Sequence, residues 1–218
     1  MVLILGIDEA GRGPVIGPLV IAGVSIDEKD LYKLKKLGVK DSKLLSPKQR
    51  EEMFDKIINT IKGYKSIIIQ PEEIDSALKS ESLNLNWLEA IKSAEIINSL
   101  KPEKAIVDCP SNNIPAYKNF LKGYLKNIKT ELVVEHKADF KYAVVSAASI
   151  IAKVTRDKEI KEIQKKIKEP IGSGYPSDPV TIDFLKKNYD NYPKIFRKEW
   201  ASWKNINKKK KQKSLKDF

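Results

Sequence analysis

Two adjacent acids, Asp8 and Glu9, follow the apolar run Val2-Leu3-Ile4-Leu5 and precede Gly11-Arg12-Gly13-Pro14. Carboxylates at the end of a buried strand are hard to desolvate unless a cation sits beside them. A divalent metal supplies that charge, and a glycine-flanked arginine loop can bring backbone N–H groups against an anion. The starting expectation is a metal site acting on a phosphate ester. Asp108 ends a second apolar stretch, Ala105-Ile106-Val107, and Asp139 stands just before an alanine-rich segment. Ligands of open α/β sheets bind beyond the carboxyl ends of strands, so Asp8 and Asp108 on adjacent parallel strands would be juxtaposed. Oxygen ligands in that number suit magnesium or manganese rather than zinc. Two such ions about 3.5–4 Å apart can activate a water and stabilise the leaving oxygen of a phosphodiester. A lone strand-end aspartate is more often a turn or cap residue, but two acids beside a buried segment are harder to explain that way.

The elements that must position these residues follow from hydrophobic periodicity. Residues 3–7 and 19–26 read as two strands joined by a glycine- and proline-rich turn, with further strands at 66–70, 105–107 and 131–134. Residues 38–43 read as a polar loop. Ser46, Pro47 and Gln49 form a helix start signal, followed by the apolar stripe Phe54, Ile57, Ile58 and Ile61. Trp87, Ile91, Ala94 and Ile97 mark one helix, residues 117–125 another, and Ala143, Val144, Ala147, Ala148, Ile151 and Val154 a third that can pack closely. Strand–helix alternation after a hairpin indicates an α/β fold with a mixed sheet. Beyond Pro170 a loop at 172–179 leads to Asp178 and Pro179, which could cap and open another helix. Arg197, Trp200 and Trp203 are expected on a last helical segment, and the lysine run from Asn205 is expected to be disordered. The expected division is 1–170, 171–204 and 205–218.

Bulk properties bound the reading. The chain has 218 residues, 41% hydrophobic and 32% charged, which suits a soluble protein of one large domain, or of one domain with an appendage. No apolar run approaches membrane-spanning length. The single cysteine, Cys109, excludes an internal disulfide and a cysteine-based zinc cage, and a cytoplasmic location is the default. The net charge is +12, half of it in residues 204–218, which hold seven lysines and one aspartate. This charge suits a partner with a phosphate backbone, although a solvated lysine-rich surface would look the same. Nothing suggests an obligate oligomer, and a monomer is expected.

Taken together and in order, five motifs resemble ribonuclease HII: residues 8–14, Asp41-Ser42-Lys43, Asp108 at a strand end, Lys137-Ala138-Asp139, and residues 146–153. Residues 172–179, Gly-Ser-Gly-Tyr-Pro-Ser-Asp-Pro, are similar to the archaeal branch of that family. The resemblance implies a ribonuclease H-like mixed sheet flanked by helices, with a C-terminal helical extension. It implies endonucleolytic hydrolysis of the RNA strand of RNA–DNA hybrids and nicking 5′ of ribonucleotides embedded in duplex DNA. Two divalent ions, Mn²⁺ or Mg²⁺, would serve, and the products would be a 3′-hydroxyl and a 5′-phosphate. Asp8, Glu9, Asp108 and Asp139 match the family's four carboxylates. Gly11, Arg12 and Gly13 match the loop that reads the 2′-hydroxyl, and Tyr175 matches the tyrosine at the RNA-to-DNA junction.

Elementary chemistry is consistent with these roles, since only the 2′-hydroxyl distinguishes RNA from DNA at a sugar edge. The residues alone leave Arg12 open to a structural ion pair and Tyr175 to a core aromatic under a loop. Lys43, with Ser42, could hold a phosphate of the DNA strand or belong to an ordinary surface loop. Ser149 and Lys153, four apart on one helix face, could meet the substrate or solvate that face. His136, the only histidine, is assigned a structural role, and Cys109 reads as a small buried side chain.

Gln212, Leu215 and Phe218 resemble the short motif with which replication proteins dock on the sliding clamp. The spacing places Leu215 and Phe218 on one side of a helical turn, without the second aromatic of the fuller motif. The competing function is a non-catalytic, clamp-tethered protein that binds RNA–DNA hybrids. Four clustered acids argue against it, because they repel nucleic acid unless metals occupy them. A resolvase or integrase of the same broad fold is disfavoured by the Gly-Arg-Gly loop and Tyr175.

Overall fold

A computed structural model describes residues 2–39 and 45–214, with side chains described to residue 208. The elements are β1 (Leu3–Ala10), β2 (Leu19–Asp27), α1 (Leu31–Lys36), α2 (Pro47–Ile58), β3 (Gly63–Ile69), α3 (Pro71–Lys79) and α4 (Leu85–Leu100). They continue with β4 (Lys104–Asp108), α5 (Ile114–Gly123), β5 (Glu131–Glu135), α6 (Ala138–Lys141), α7 (Ala143–Ile167), α8 (Pro179–Asn188) and α9 (Ala201–Ser214). The strands form one sheet in the order β3-β2-β1-β4-β5. β1 runs antiparallel to β2 and parallel to β4, which is parallel to β5. The fold is the expected mixed α/β sheet flanked by helices.

The chain divides into two compact units, and not at residue 170. One comprises residues 1–10, 20–68 and 85–156; the other comprises 11–19, 69–84 and 157–218. The second unit is therefore assembled from three separate stretches of chain, so a linear split does not describe it.

In the first unit, Val20, Ala22, Val24 and Ile26 of β2 join Val144, Ala147, Ala148 and Ile151 of α7 in one buried cluster. Close approach is set at Gly6: a Cβ there would lie 2.5 Å from the backbone carbon of Val144. Only glycine lets β1 and the first turn of α7 come this near. The start of α2 is a full capping box, with Gln49 N–H donating to the Ser46 hydroxyl and Ser46 N–H donating to the Gln49 side chain. β1 extends further than expected, because β2 keeps pairing with it: Asp8 faces Ala22 and Glu9 faces Ile21. The parallel ladder with β4 ends earlier, at Ile7 and Val107.

In the second unit, Val15, Ile16, Ile160, Ile171, Phe184, Leu185 and Phe196 form the core, with Trp200, Trp203 and Ile206 packed against it. Asp178 caps α8 as expected, accepting from Val180 N–H, with Pro179 at the first position. Two expectations are corrected. Arg197 and Trp200 precede α9 rather than lying on it, since the helix begins at Ala201. Residues 205–214, expected to be disordered, are helical. Trp203 and Ile206 anchor the start of this helix on the core, and lysine is among the better helix formers once a nucleus exists.

Candidate metal centre

Asp8, Asp108 and Asp139 converge in the first unit. Each offers a carboxylate oxygen, and these atoms all lie within 4.8 Å of one another. Asp8 and Asp108 stand one residue beyond the last paired residues of parallel β1 and β4, which explains their approach. Asp139 enters from α6, directly after β5. Asp8 and Asp139 are buried, while Asp108 is half-buried.

Glu9 does not belong to this trio. The Asp8 side chain takes the side of α7, where it accepts from the Ser149 hydroxyl. Burial is the main cause of the raised pKa values of Tyr117 and Cys109, and the Glu9 charge adds a smaller push in the same direction. It also adds to the pressure on Asp8. The structure thus brings three of the four expected carboxylates within 4.8 Å of one another, with the Glu9 charge near enough to bear on Asp8.

The electrostatics are those of acids clustered at a buried position. Burial pushes the Asp8 carboxyl well above the usual range, and the nearby Glu9 and Asp108 charges raise it further. Hydrogen bonds from the Ser149 hydroxyl and the Glu9 N–H act in the opposite direction; the Glu9 bond is 2.7 Å long. Asp108 is raised mainly by burial and then by the Asp139 charge, against a 3.0 Å hydrogen bond from the Ala138 N–H. A divalent cation would reverse this pressure by favouring the ionised carboxylates. The donor set fits one: all ligand atoms are hard oxygens, and 4.8 Å is within a small side-chain adjustment of the ~4.2 Å that opposite ligands of a magnesium ion span.

Two supports were not singled out by residue type. Lys137 adopts a left-handed conformation, with φ of 56°, at the entry to α6. That turn aims the successive N–H groups of Lys137 and Ala138 at Asp108, a small anion-holding nest. The Ser146 hydroxyl donates to the backbone carbonyl of Asp139, tying the acid's segment to α7. Neither follows from spacing, since a non-glycine residue with positive φ carries no sequence signal.

The family model Ribonuclease HII matches residues 5–204. The chain belongs to the ribonuclease HII family. It is accordingly a metal-dependent ribonuclease of the ribonuclease H type, a hydrolase of phosphodiester bonds. It is 52% identical over 211 residues to a ribonuclease HII of Methanococcus maripaludis, covering 94% of this chain and 87% of the relative. A crystal structure of the ribonuclease H2 from Pyrococcus horikoshii OT3 superposes with a TM-score of 0.87 at 44% identity, covering 95% of this chain and 98% of that one. The ribonuclease HII in a PCNA:RNase HII complex from Archaeoglobus fulgidus gives 0.82 at 41% identity, covering 91% and 95%. The ribonuclease H-like fold is thereby established.

The remaining residues expected at the site fall in several places. Ser149 is on α7, hydrogen-bonded to Asp8, with Lys153 one turn later on the same helix. In the second unit, Gly13 faces Tyr175: a Cβ on Gly13 would sit 3.6 Å from Cε1 of the ring. The two loops are joined by the Val15 N–H donating to the Gly174 carbonyl at 2.8 Å. Asp178 braces the tyrosine loop, accepting from the Ser173 N–H at 2.6 Å and its hydroxyl at 2.8 Å, bonds that lower its pKa. His136 Nδ1 lies 3.0 Å from the carbonyl of buried Cys109, the structural placement expected of both. Ser42 and Lys43 lie outside the described residues, as do Leu215 and Phe218; Gln212 falls within α9. No helix among the described residues is long and apolar enough to cross a membrane.

Proposed function

We propose that this enzyme hydrolyses the RNA strand of RNA–DNA hybrids and nicks duplex DNA on the 5′ side of embedded ribonucleotides, leaving a 3′-hydroxyl and a 5′-phosphate. The observation that carries the reading is the trio Asp8, Asp108 and Asp139, three carboxylates whose oxygens converge to within 4.8 Å at a parallel strand terminus. Together with Glu9 they would hold two divalent ions, Mg²⁺ or Mn²⁺. When bound, these ions supply positive charge to the scissile phosphate and acidify the attacking water.

The chain's own residues account for the remainder. The Ser149 hydroxyl and the N–H groups of residues 9 and 138 orient Asp8 and Asp108, so the ligands are fixed before substrate arrives. The Gly11-Arg12-Gly13 loop presents backbone to the ribose edge, where an added side chain would keep the sugar out. The Tyr175 ring, in reach of Gly13, would stack on the following deoxyribose and disfavour an extra hydroxyl there. Ser42, Lys43 and Lys153 would hold phosphates of the substrate.

A sliding clamp is the proposed partner of Gln212, Leu215 and Phe218, supported by the PCNA complex of the Archaeoglobus fulgidus relative. The protein is proposed to act in the cytoplasm as a monomer. The non-catalytic alternative is not favoured by an intact convergent acid cluster. The test is a duplex carrying one ribonucleotide, incubated with Mn²⁺ or Mg²⁺ and then with chelator. A metal-dependent nick directly 5′ of the ribonucleotide is expected; a protein that binds the duplex without cutting it would refute the proposal.

A further inference from the structure

Arg197 is a charged side chain with no exposed surface, and its guanidinium donates to three backbone carbonyls. Its Nε donates to the Gly17 carbonyl at 3.0 Å, one Nη to the Arg12 carbonyl at 3.0 Å, and the other to the Gly11 carbonyl at 2.7 Å. Three acceptors can converge on one fork because Gly11 and Gly17 have φ of 87° and 82°. That region is open to glycine at little steric cost, and it turns these carbonyls inward. Trp200 completes the arrangement. Its ring centroid lies 4.9 Å from the guanidinium carbon, and its indole N–H donates to the Gly13 carbonyl at 3.1 Å. The Arg197 N–H itself donates to the Val15 carbonyl at 2.9 Å.

The carbonyls of Gly11, Arg12 and Gly13 are therefore all drawn to one side. In a trans peptide the following N–H points opposite to the carbonyl. The N–H groups of Arg12 and Gly13 are thus directed to the other side of the loop, and Pro14 contributes none. A positive charge bonded to the Gly11 and Arg12 carbonyls also strengthens those two N–H groups as donors.

We infer that Arg197, with Trp200, is a positioning residue for ribonucleotide recognition: it sets the Gly11-Arg12-Gly13 loop so that its N–H groups meet the sugar. The inference rests on the proposed reading that this loop contacts the 2′-hydroxyl. Lysine at position 197 would keep the charge but cannot reach three carbonyls in a planar fork. Phenylalanine at position 200 would keep the ring and remove only the bond to Gly13.

The experiment measures kcat, KM and Kd for duplexes with one ribonucleotide or none, using wild type, R197K and W200F, with melting temperatures recorded for each. Binding is measured in Ca²⁺. Arg197→Lys is expected to weaken binding of the ribonucleotide duplex about tenfold and that of all-DNA duplex little, the scale of one lost charge-assisted hydrogen bond. Trp200→Phe should show a smaller shift in the same direction, with KM rising more than kcat falls. A merely structural role would lower the folded fraction, and hence kcat, while leaving the ribo-to-deoxy preference intact. Unchanged preference in R197K overturns the inference. If R197K does not fold, unchanged preference and KM in W200F overturn it alone. A wild type that cuts neither duplex refutes the reading of the loop itself, and this inference with it.

Discussion

Replacing Gly6 by alanine should damage both stability and catalysis, although residue 6 touches no substrate. A Cβ at this position lies 2.5 Å from Val144 C, 2.5 Å from Val145 N and 2.6 Å from Val144 O. Carbon contacts are comfortable at roughly 3.5–4.0 Å, so about 1 Å of separation must be regained. The obstruction is helix backbone, which cannot rotate aside as a side chain could. β1 is held by ladders on both edges, to β2 and β4, so the first turn of α7 is the part that yields. That turn carries Ser146, which ties Asp139, and the next carries Ser149, which bonds Asp8. Overpacking of this kind costs about 1–3 kcal/mol. For a chain of this size that corresponds to a melting point lowered by roughly 3–10 °C. A misplacement of ~1 Å in catalytic ligands can reduce turnover about a hundredfold. The assay is calorimetric unfolding alongside initial nicking rates at saturating Mn²⁺. Gly123→Ala is the control, because a Cβ there meets nothing within 4 Å. A G6A protein that melts within a degree of wild type and keeps its rate would refute the packing argument.

Other expectations are as direct. Asp8→Asn should lower metal-dependent cleavage by at least about a thousandfold, the scale of several kcal/mol of lost charge stabilisation, while the fold persists. The same substitution should make the metal-free protein more stable at neutral pH, since burial holds the Asp8 carboxyl well above the usual carboxylate range in the folded state. The sign follows from linkage: a raised folded pKa means stability that is present below the unfolded value and lost as pH rises through the folded one. Metal-free wild type should therefore lose stability as pH climbs above about 4, in melts that Mn²⁺ reverses and that D8N flattens. Gly13→Ala places its methyl at 3.6 Å from the Tyr175 ring, an ordinary contact, so the melting point should hold. KM for the ribonucleotide duplex should nonetheless rise about tenfold as the gap for the sugar closes, and an unchanged KM would count against that gap. Deleting residues 212–218 should abolish clamp association in a pull-down and leave basal nicking intact; persistent association would refute the tail assignment.

Much of the site was legible because its signals are local. Asp8 and Asp108 could be placed side by side from two apolar runs and the rule for parallel strand ends. The capping box at Ser46 and the cap at Asp178 were readable for the same reason, being contained within four residues. Glu9 shows where local reading stops. Whether β1 continues past residue 7 to include it is decided by the partner strand: residues 20–22 extend the ladder to Ala10. The lysine-rich helix is similar, since its start depends on Trp203 and Ile206 finding a core assembled from distant stretches.

Arg197 was furthest out of reach, and the reason bears on how the motif around it should be understood. Its acceptors lie 180 to 186 residues away in sequence, and nothing near Arg197 marks it for burial. Read alone, Gly11-Arg12-Gly13 suggests that glycine serves the ligand by letting backbone come near it. The positive φ of Gly11 shows a second demand, because it is part of what turns the loop's carbonyls toward a buried cation. A contiguous string from Gly6 to Gly13 thus answers to three separate constraints: close packing at Gly6, the proposed metal ligand at Asp8, and an internal arginine at Gly11 and beyond. Substitutions within it should fail for different physical reasons, the first through helix displacement, the second through lost ligand charge and the third through loop direction. Catalysis alone therefore does not account for the string, since part of it is required simply to hold Arg197.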